Sequence, residues 1–263
     1  MQMARGVLAA SRSVLRVGGT DHRKFLQDLV TNNVDGLSEG AVYAALLTPQ
    51  GKYLSDFLMV ADGDGVLLDV AQGQAQDLGR RLSMYKLRAA VTLEDSGLSV
   101  VQGWGAAPEG AVADPRHGEL GWRVYTTAPD ALLADLDSAD PAEWDALRVR
   151  LGVPEAGAEL LPNDSYILEA GFDRLNGVDF RKGCYVGQEV TARMRHKTEL
   201  RKGLARVSVT GEAPPAGTPV EAGGKAVGTL YTVAGGEGLA HLRFDRATGE
   251  MQAGAATVVR LDG

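Results

Sequence analysis

Apolar residues recur along this chain with two alternating periods, and the alternation sets out its elements. Val14–Val17 reads as a short strand. Thr20 or Asp21 can cap a helix that sets Phe25, Leu26, Leu29 and Val30 on one face, and Thr31-Asn32-Asn33 ends it. Ala41–Thr48 and Tyr53–Val60 read as strands joined by the turn Pro49-Gln50-Gly51-Lys52. Asp62-Gly63-Asp64-Gly65 turns into a strand over Val66–Val70. A helix over Gln74–Tyr85 has Leu78, Leu82 and Tyr85 in register, and Val91–Glu94 and Leu98–Gln102 form another strand pair. Ala106–Gly118, rich in Ala, Gly and Pro, reads as loop, and Trp122–Thr126 alternates like a strand. Pro129–Leu136 and Pro141–Leu151 read as helices, the second with an apolar stripe of Trp144, Leu147 and Leu151. Pro154–Asp164 is an irregular link.

After Lys202 the texture changes. Short β-like runs at Leu204–Val209, Val227–Val233, Leu239–Phe244 and Ala256–Leu261 alternate with Gly/Pro turns, the pattern of a small barrel or sandwich. The fold class is therefore α+β with a compact all-β C-terminal domain. The expected boundaries are 1–48 with 140–200 as one interleaved subdomain, 49–139 as a second, and 201–263 as a C-terminal β-barrel.

Composition narrows the function classes. Hydrophobic residues are 44 % and charged residues 23 % of 263, ordinary for a globular chain. No apolar run approaches the roughly 20 residues that cross a bilayer, and Met1–Ser13, with Arg5 and Arg12 and no long apolar stretch, is read as a cytosolic start rather than a signal peptide. The expectation is a cytoplasmic protein with no membrane partner. The formal charge of −7 argues against general nucleic-acid binding. Yet Arg181–Arg206 holds eight cations against Glu189 and Glu199, a local +6 that leaves −13 elsewhere. Such asymmetry focuses anions on one face, or guards a strand edge. The one cysteine, Cys184, forms no internal disulfide, fits a reducing compartment, and holds no iron–sulfur cluster alone. The four histidines are too scattered for a metal site.

The most informative segment is Lys182-Gly183-Cys184-Tyr185-Val186-Gly187-Gln188-Glu189. Gly183 and Gly187 allow sharp bends on both sides of the thiol, and Lys182, Arg193 and Arg195 would favour thiolate if they lie close. The bland alternative is a tight turn around a buried, inert cysteine.

The segment resembles the K-G-C-Y-x-G-Q-E signature of the YgfZ-type folate-binding family, which is related in fold to the aminomethyltransferase (T-protein) of the glycine cleavage system. Asn176-Gly177-Val178-Asp179-Phe180 looks like the element before the signature, and Thr191-Ala192-Arg193 and Arg201-Lys202 like those after it. Phe25-Leu26-Gln27 and Thr31-Asn32-Asn33-Val34 resemble an element shared with the T-protein, with Asn33 in place of Asp. Leu47-Thr48-Pro49-Gln50-Gly51-Lys52 matches the hairpin that follows.

The resemblance implies three subdomains in a ring around a channel for tetrahydrofolate or another reduced folate. Glu169 falls where a glutamate accepts from the pterin edge, although Gly171-Phe172 departs from the usual Asn-Leu. Tyr43 matches an aromatic on the channel strand. Asp56 falls on the second, catalytic carboxylate of a T-protein pair whose first member is Ser55 here. Lys182, Gln188 and Arg193 complete the implied cofactor-binding set, with Cys184 and Asp56 as the reactive groups. The implied role is support of iron–sulfur client enzymes, including those that modify tRNA. The open alternative is an aminomethyl or methyl transferase using Asp56, and a third class is an RNA- or acidic-protein-binding module.

Overall fold

The structure is a computed structural model that describes residues 4–196 and 199–261. Lys197, one of the eight cations of the basic stretch, lies outside the described residues, as do the last two residues of the expected barrel.

The chain forms two compact units. One combines residues 1–139 with 173–188, the other 140–172 with 189–263. The first unit begins with β1 (Arg5–Leu8) and β2 (Arg12–Gly18), then the short helix α1 (His22–Gln27). There follow β3 (Val42–Leu47), β4 (Tyr53–Asp62), β5 (Gly65–Ala71), helix α2 (Gln72–Lys86), β6 (Thr92–Asp95) and β7 (Ser99–Trp104). The two-residue β8 (Val112–Ala113), β9 (Trp122–Thr126), helix α3 (Pro129–Ala134) and β10 (Asp137–Ser138) complete it.

These strands make two five-stranded sheets, one in the order β3-β4-β5-β2-β6 and one in the order β10-β1-β7-β9-β8. In the first, Val42, Ala44, Leu46, Phe57, Met59, Val66, Leu68 and Val70 join Phe25 and Leu26 of α1 and Leu78 and Leu82 of α2 in one core. The alternation of strand side chains then puts Tyr43, Asp56, Leu67 and Asp69 on the opposite face. There Val14, Val60 and Leu67 pack with Val100 of the other sheet. β3 and β4 pair in one sheet, so the expected boundary at residue 48 falls inside a hairpin. The helical periodicity at Phe25–Val30 overran the helix: α1 stops at Gln27, and Val30 instead bridges to Leu46.

The second unit holds α4 (Pro141–Arg150), most of α5 (Gln188–Arg195), and six strands. These are β11 (Lys202–Thr210), β12 (Thr218–Ala222), β13 (Lys225–Ala234), β14 (Glu237–Arg243), β15 (Glu250–Ala253) and β16 (Ala256–Arg260). They close into a barrel in the order β11-β14-β13-β12-β15-β16. Closure removes free sheet edges. Its interior is filled by Val207, Val220, Leu230, Ala240, Leu242, Met251 and Val258. Asp140 and Glu143 make a capping box at the start of α4. Of the expected stripe Trp144, Leu147 and Leu151, Trp144 is buried, but Leu147 and Leu151 are only half-buried, and Arg148 and Val149 complete the buried face of α4. Arg148 is buried because Glu159, Asp145 and Thr232 all accept from it.

Candidate functional site

Two motif blocks far apart in sequence are laced together in the first unit. The Thr31 hydroxyl donates to the Gly177 carbonyl (2.7 Å) and accepts from the Ala45 N–H (2.9 Å). The Asn32 amide donates to the carbonyls of Tyr43 (2.8 Å) and Asn176 (2.7 Å), and the Asp179 N–H donates to the Thr31 carbonyl (3.1 Å). Asn176 has φ +55, a left-handed conformation that asparagine tolerates better than most side chains. Its own amide donates to the Pro115 carbonyl. Asn32, Asn176, Tyr43 and Pro115 border an open hollow of about 330 Å³.

Lys182 takes a different part from the one expected. The residue is only 7 % exposed, and its ammonium donates to the carbonyls of Gln27 (2.8 Å), Val30 (2.6 Å) and Asn32 (2.9 Å). Three donors meet three acceptors, so none is left for a ligand or the neighbouring thiol. Gln27 is the last residue of α1 and the other two carbonyls follow it, where a helix end leaves acceptors unsatisfied and favours a cation. The Tyr185 ring lies 5.3 Å from the same ammonium. Burial pushes the Lys182 amine down to about 8, against the pull of Asp179 and Asp28.

Between the buried Lys182 and the buried Tyr185, Gly183 and Cys184 face solvent. The bland reading of an enclosed cysteine is therefore excluded. Gly187 has φ +83, and an added Cβ would come within 2.6 Å of the Thr48 carbonyl and 3.1 Å of the Gly51 Cα. The end of the signature thus lies directly against the β3–β4 hairpin. Gly183 meets no such crowding, so only one of the two glycines is required by close approach. Gln188 is half-buried at the start of α5, and Arg193 is exposed further along it.

Asp56 and Tyr43 are brought together. Asp56 is 3 % exposed and accepts from the hydroxyls of Tyr43 (2.8 Å) and Tyr53 (2.6 Å), one on each oxygen. Tyr53 also lies 3.1 Å from Gln74. Burial first, and the Asp56 charge second, push both phenols well above their usual value, so they serve as donors. The Arg116 guanidinium lies 5.6 Å from the Tyr43 ring centre.

That arginine belongs to a buried ion cluster which sequence reasoning did not find. Asp114 accepts from Arg116 (2.7 and 3.0 Å) and Arg123 (3.2 Å). Asp69 accepts from Arg123 (2.8 Å), Arg12 (2.6 Å) and Tyr125 (3.1 Å). The one available signal was Asp69 within the apolar run Val66–Val70, where a carboxylate on a buried strand demands a cation.

Glu169 lies in the second unit. Its side chain is 11 % exposed, and one oxygen, Oε2, lies 3.2 Å from His241 Nε2 and 3.4 Å from Lys202 Nζ. Its backbone carbonyl accepts from the Leu204 N–H at 2.6 Å, which fixes it to β11. Burial pushes its carboxyl up, but His241 and Lys202 outweigh burial and leave it below the usual value. Among the described residues no group of three or more His, Cys, Asp or Glu is placed to hold a metal.

The architecture belongs to a known class. Its fold is similar to the crystal structure of the glycine cleavage system aminomethyltransferase T from Bartonella henselae, with a TM-score of 0.82 over 99 % of this chain and 85 % of that one. At 14 % identity this establishes the fold alone. Residues 201–261 match the family described as CAF17, C-terminal beta-barrel domain.

The chain belongs to the IBA57 family of iron–sulfur cluster assembly factors, to which the YgfZ-type proteins are related. It is 32 % identical to the mouse protein named iron-sulfur cluster assembly factor IBA57, mitochondrial, over 91 % of this chain and 78 % of that one. It is 36 % identical to the IBA57 homolog of Pyricularia oryzae over 73 % of this chain. It spans only 54 % of that relative's length and 58 % of the Mycosarcoma maydis one. These relatives are named mitochondrial, which overturns the expectation of a cytoplasmic protein.

Proposed function

We propose that this chain binds a reduced folate and supports the assembly or repair of iron–sulfur enzymes, tRNA-modifying ones among them. The observation that carries the reading is the presentation of Cys184. A lone thiol stands on the outer side of a segment whose neighbours Lys182 and Tyr185 are buried anchors. A soft thiol so placed handles a sulfur, iron or one-carbon fragment, and reaches a client surface without unfolding its support.

Glu169 fits the folate part of the proposal. Both cations engage Oε2, and no partner of Oε1 is found among the described residues. A carboxylate steadied at one oxygen suits the N–H edge of a pterin. When bound, tetrahydrofolate would supply a carrier for one-carbon units.

Calorimetry with tetrahydrofolate tests this part. The wild type is expected to bind, and Glu169→Ala to lose about tenfold or more, the worth of a charged hydrogen bond of about 1.5–3 kcal/mol. Equal affinity would remove Glu169 from the site, and no affinity in the wild type would remove the folate reading. Cys184→Ala is expected to retain folate affinity while the activity of iron–sulfur client enzymes in cells falls. Full client activity in that variant would refute the role given to the thiol.

A second reading, a folate-dependent aminomethyl or methyl transferase, is favoured by the buried carboxylate of Asp56. Its hydrogen bonds from Tyr43 and Tyr53 hold it in one orientation, as a group that stabilises a developing cation requires. That reading demands that Asp56→Asn stop methylenetetrahydrofolate formation from an aminomethyl donor.

A further inference from the structure

We propose that the end of α2 is a docking tip for an anionic lipid surface. Met84 is 60 % exposed, Tyr85 37 % and Leu87 89 %. Apart from Leu8, these are the exposed large hydrophobic residues among those described. They sit together within four consecutive positions, 84–87, where the helix ends and the chain turns.

Leu87 has φ +45 with ψ −104, a positive-φ conformation that residues other than glycine rarely adopt. An apolar side chain is thus held almost fully in water on a strained backbone, and neither feature helps the fold. Strain of this kind persists where function requires it.

The charges around the tip select the occupant. Between Asp77 and Arg88 four cations, Arg80, Arg81, Lys86 and Arg88, stand against one carboxylate, a local +3 in a chain of formal charge −7. Asp77 pairs with Arg80 and Arg81. Lys86 and Arg88, which flank Leu87, have no acidic partner among the described residues. Asp21 adjoins the tip through the Ala90 N–H, and it leaves the balance positive.

A protruding turn with leucine at its apex, an amphipathic tyrosine beside it and cations on both sides matches a headgroup boundary. The apolar side chains enter the acyl edge while Lys86 and Arg88 meet lipid phosphates. The other basic stretch, Arg181–Arg206, has no exposed large hydrophobic residue among those described, so the tip is where exposed apolar side chains and cations coincide. No membrane-crossing segment is needed. No helix among the described residues is long and apolar enough to cross a membrane, and surface docking is a separate property.

The test is co-sedimentation of the full chain with vesicles of phosphatidylcholine alone and of an equal mixture with phosphatidylglycerol. The wild type is expected to sediment with the anionic vesicles and not the neutral ones, and to be released by salt. Leu87→Gly relieves the backbone, so its melting temperature is expected to match or exceed that of the wild type. Its vesicle partition is expected to fall by about tenfold, the effect of losing one buried leucine. Lys86→Glu with Arg88→Glu is expected to abolish sedimentation. Unchanged partition in Leu87→Gly overturns the proposal. So does a wild type that ignores both vesicles, and the tip then belongs to a protein partner.

Discussion

Asp69→Ala is expected to cost about 3–5 kcal/mol of folding stability, enough to threaten the fold of the first unit. Asp69 is 0 % exposed and is the common acceptor for Arg12, Arg123 and Tyr125. Removing it leaves two guanidiniums buried beside β2 and β9 with part of their compensation gone. Urea denaturation measures the loss. Adding Arg123→Leu to Asp69→Ala is expected to cost less than the two single changes together, because the second removes an orphaned charge. A cost below about 1 kcal/mol for Asp69→Ala would show that water reaches the cluster.

The acid limb follows from the same residues. Burial pushes the carboxyls of Asp69 and Asp114 up, but Arg12 and Arg123 for the first, and Arg116 and Arg123 for the second, hold both below the usual value. Each folded-state value lies under its unfolded one. Their contribution is therefore complete above pH of about 4 and is lost as the pH falls through the lowered values. The stability gap between wild type and Asp69→Ala should narrow on acidification.

What the sequence disclosed, and what it withheld, divides along physical lines. β3, β4, β5 and the barrel strands β11, β13, β14 and β16 were legible because each alternates or runs apolar between strong turn signals. β1 was missed because Arg5–Leu8 is four residues long, and β15 because Glu250–Ala253 buries only two side chains. α5 was missed because Gln188–Arg195 is polar almost throughout and buries only Thr191. The pairing of Tyr43 with Asp56 was reachable from strand register: Tyr43 lies opposite Leu58, and Ala45 opposite Asp56, on the same face. The ion cluster was not, since Arg12, Asp69, Asp114 and Arg123 come from four separated segments and share no motif. Residue type misled at Lys182. A lysine beside a lone thiol suggests electrostatic activation, yet the nearest unmet need was for donors at the end of a helix about 150 residues earlier.

Lys182→Met makes that need measurable. Methionine conserves much of the volume but supplies no donor, so the Gln27, Val30 and Asn32 carbonyls lose their common partner. Hydrogen bonds to a charged group are worth about 1.5–3 kcal/mol each and do not add fully, which sets the expected loss at about 3 kcal/mol. The stability of the wild type should also depend on pH on the alkaline side. The folded-state amine titrates near 8 and the unfolded one near 10.5, so the unfolded chain binds more protons between them. Stability then rises with pH across that window relative to Lys182→Met. Because this ammonium fastens residues 173–188 to α1, its removal should also loosen the segment that carries Cys184. Hydrogen exchange at Gly183–Val186 should quicken in the variant more than exchange in the barrel strands. Equal protection across both would mean that Thr31 and Asn32 hold the segment without the lysine.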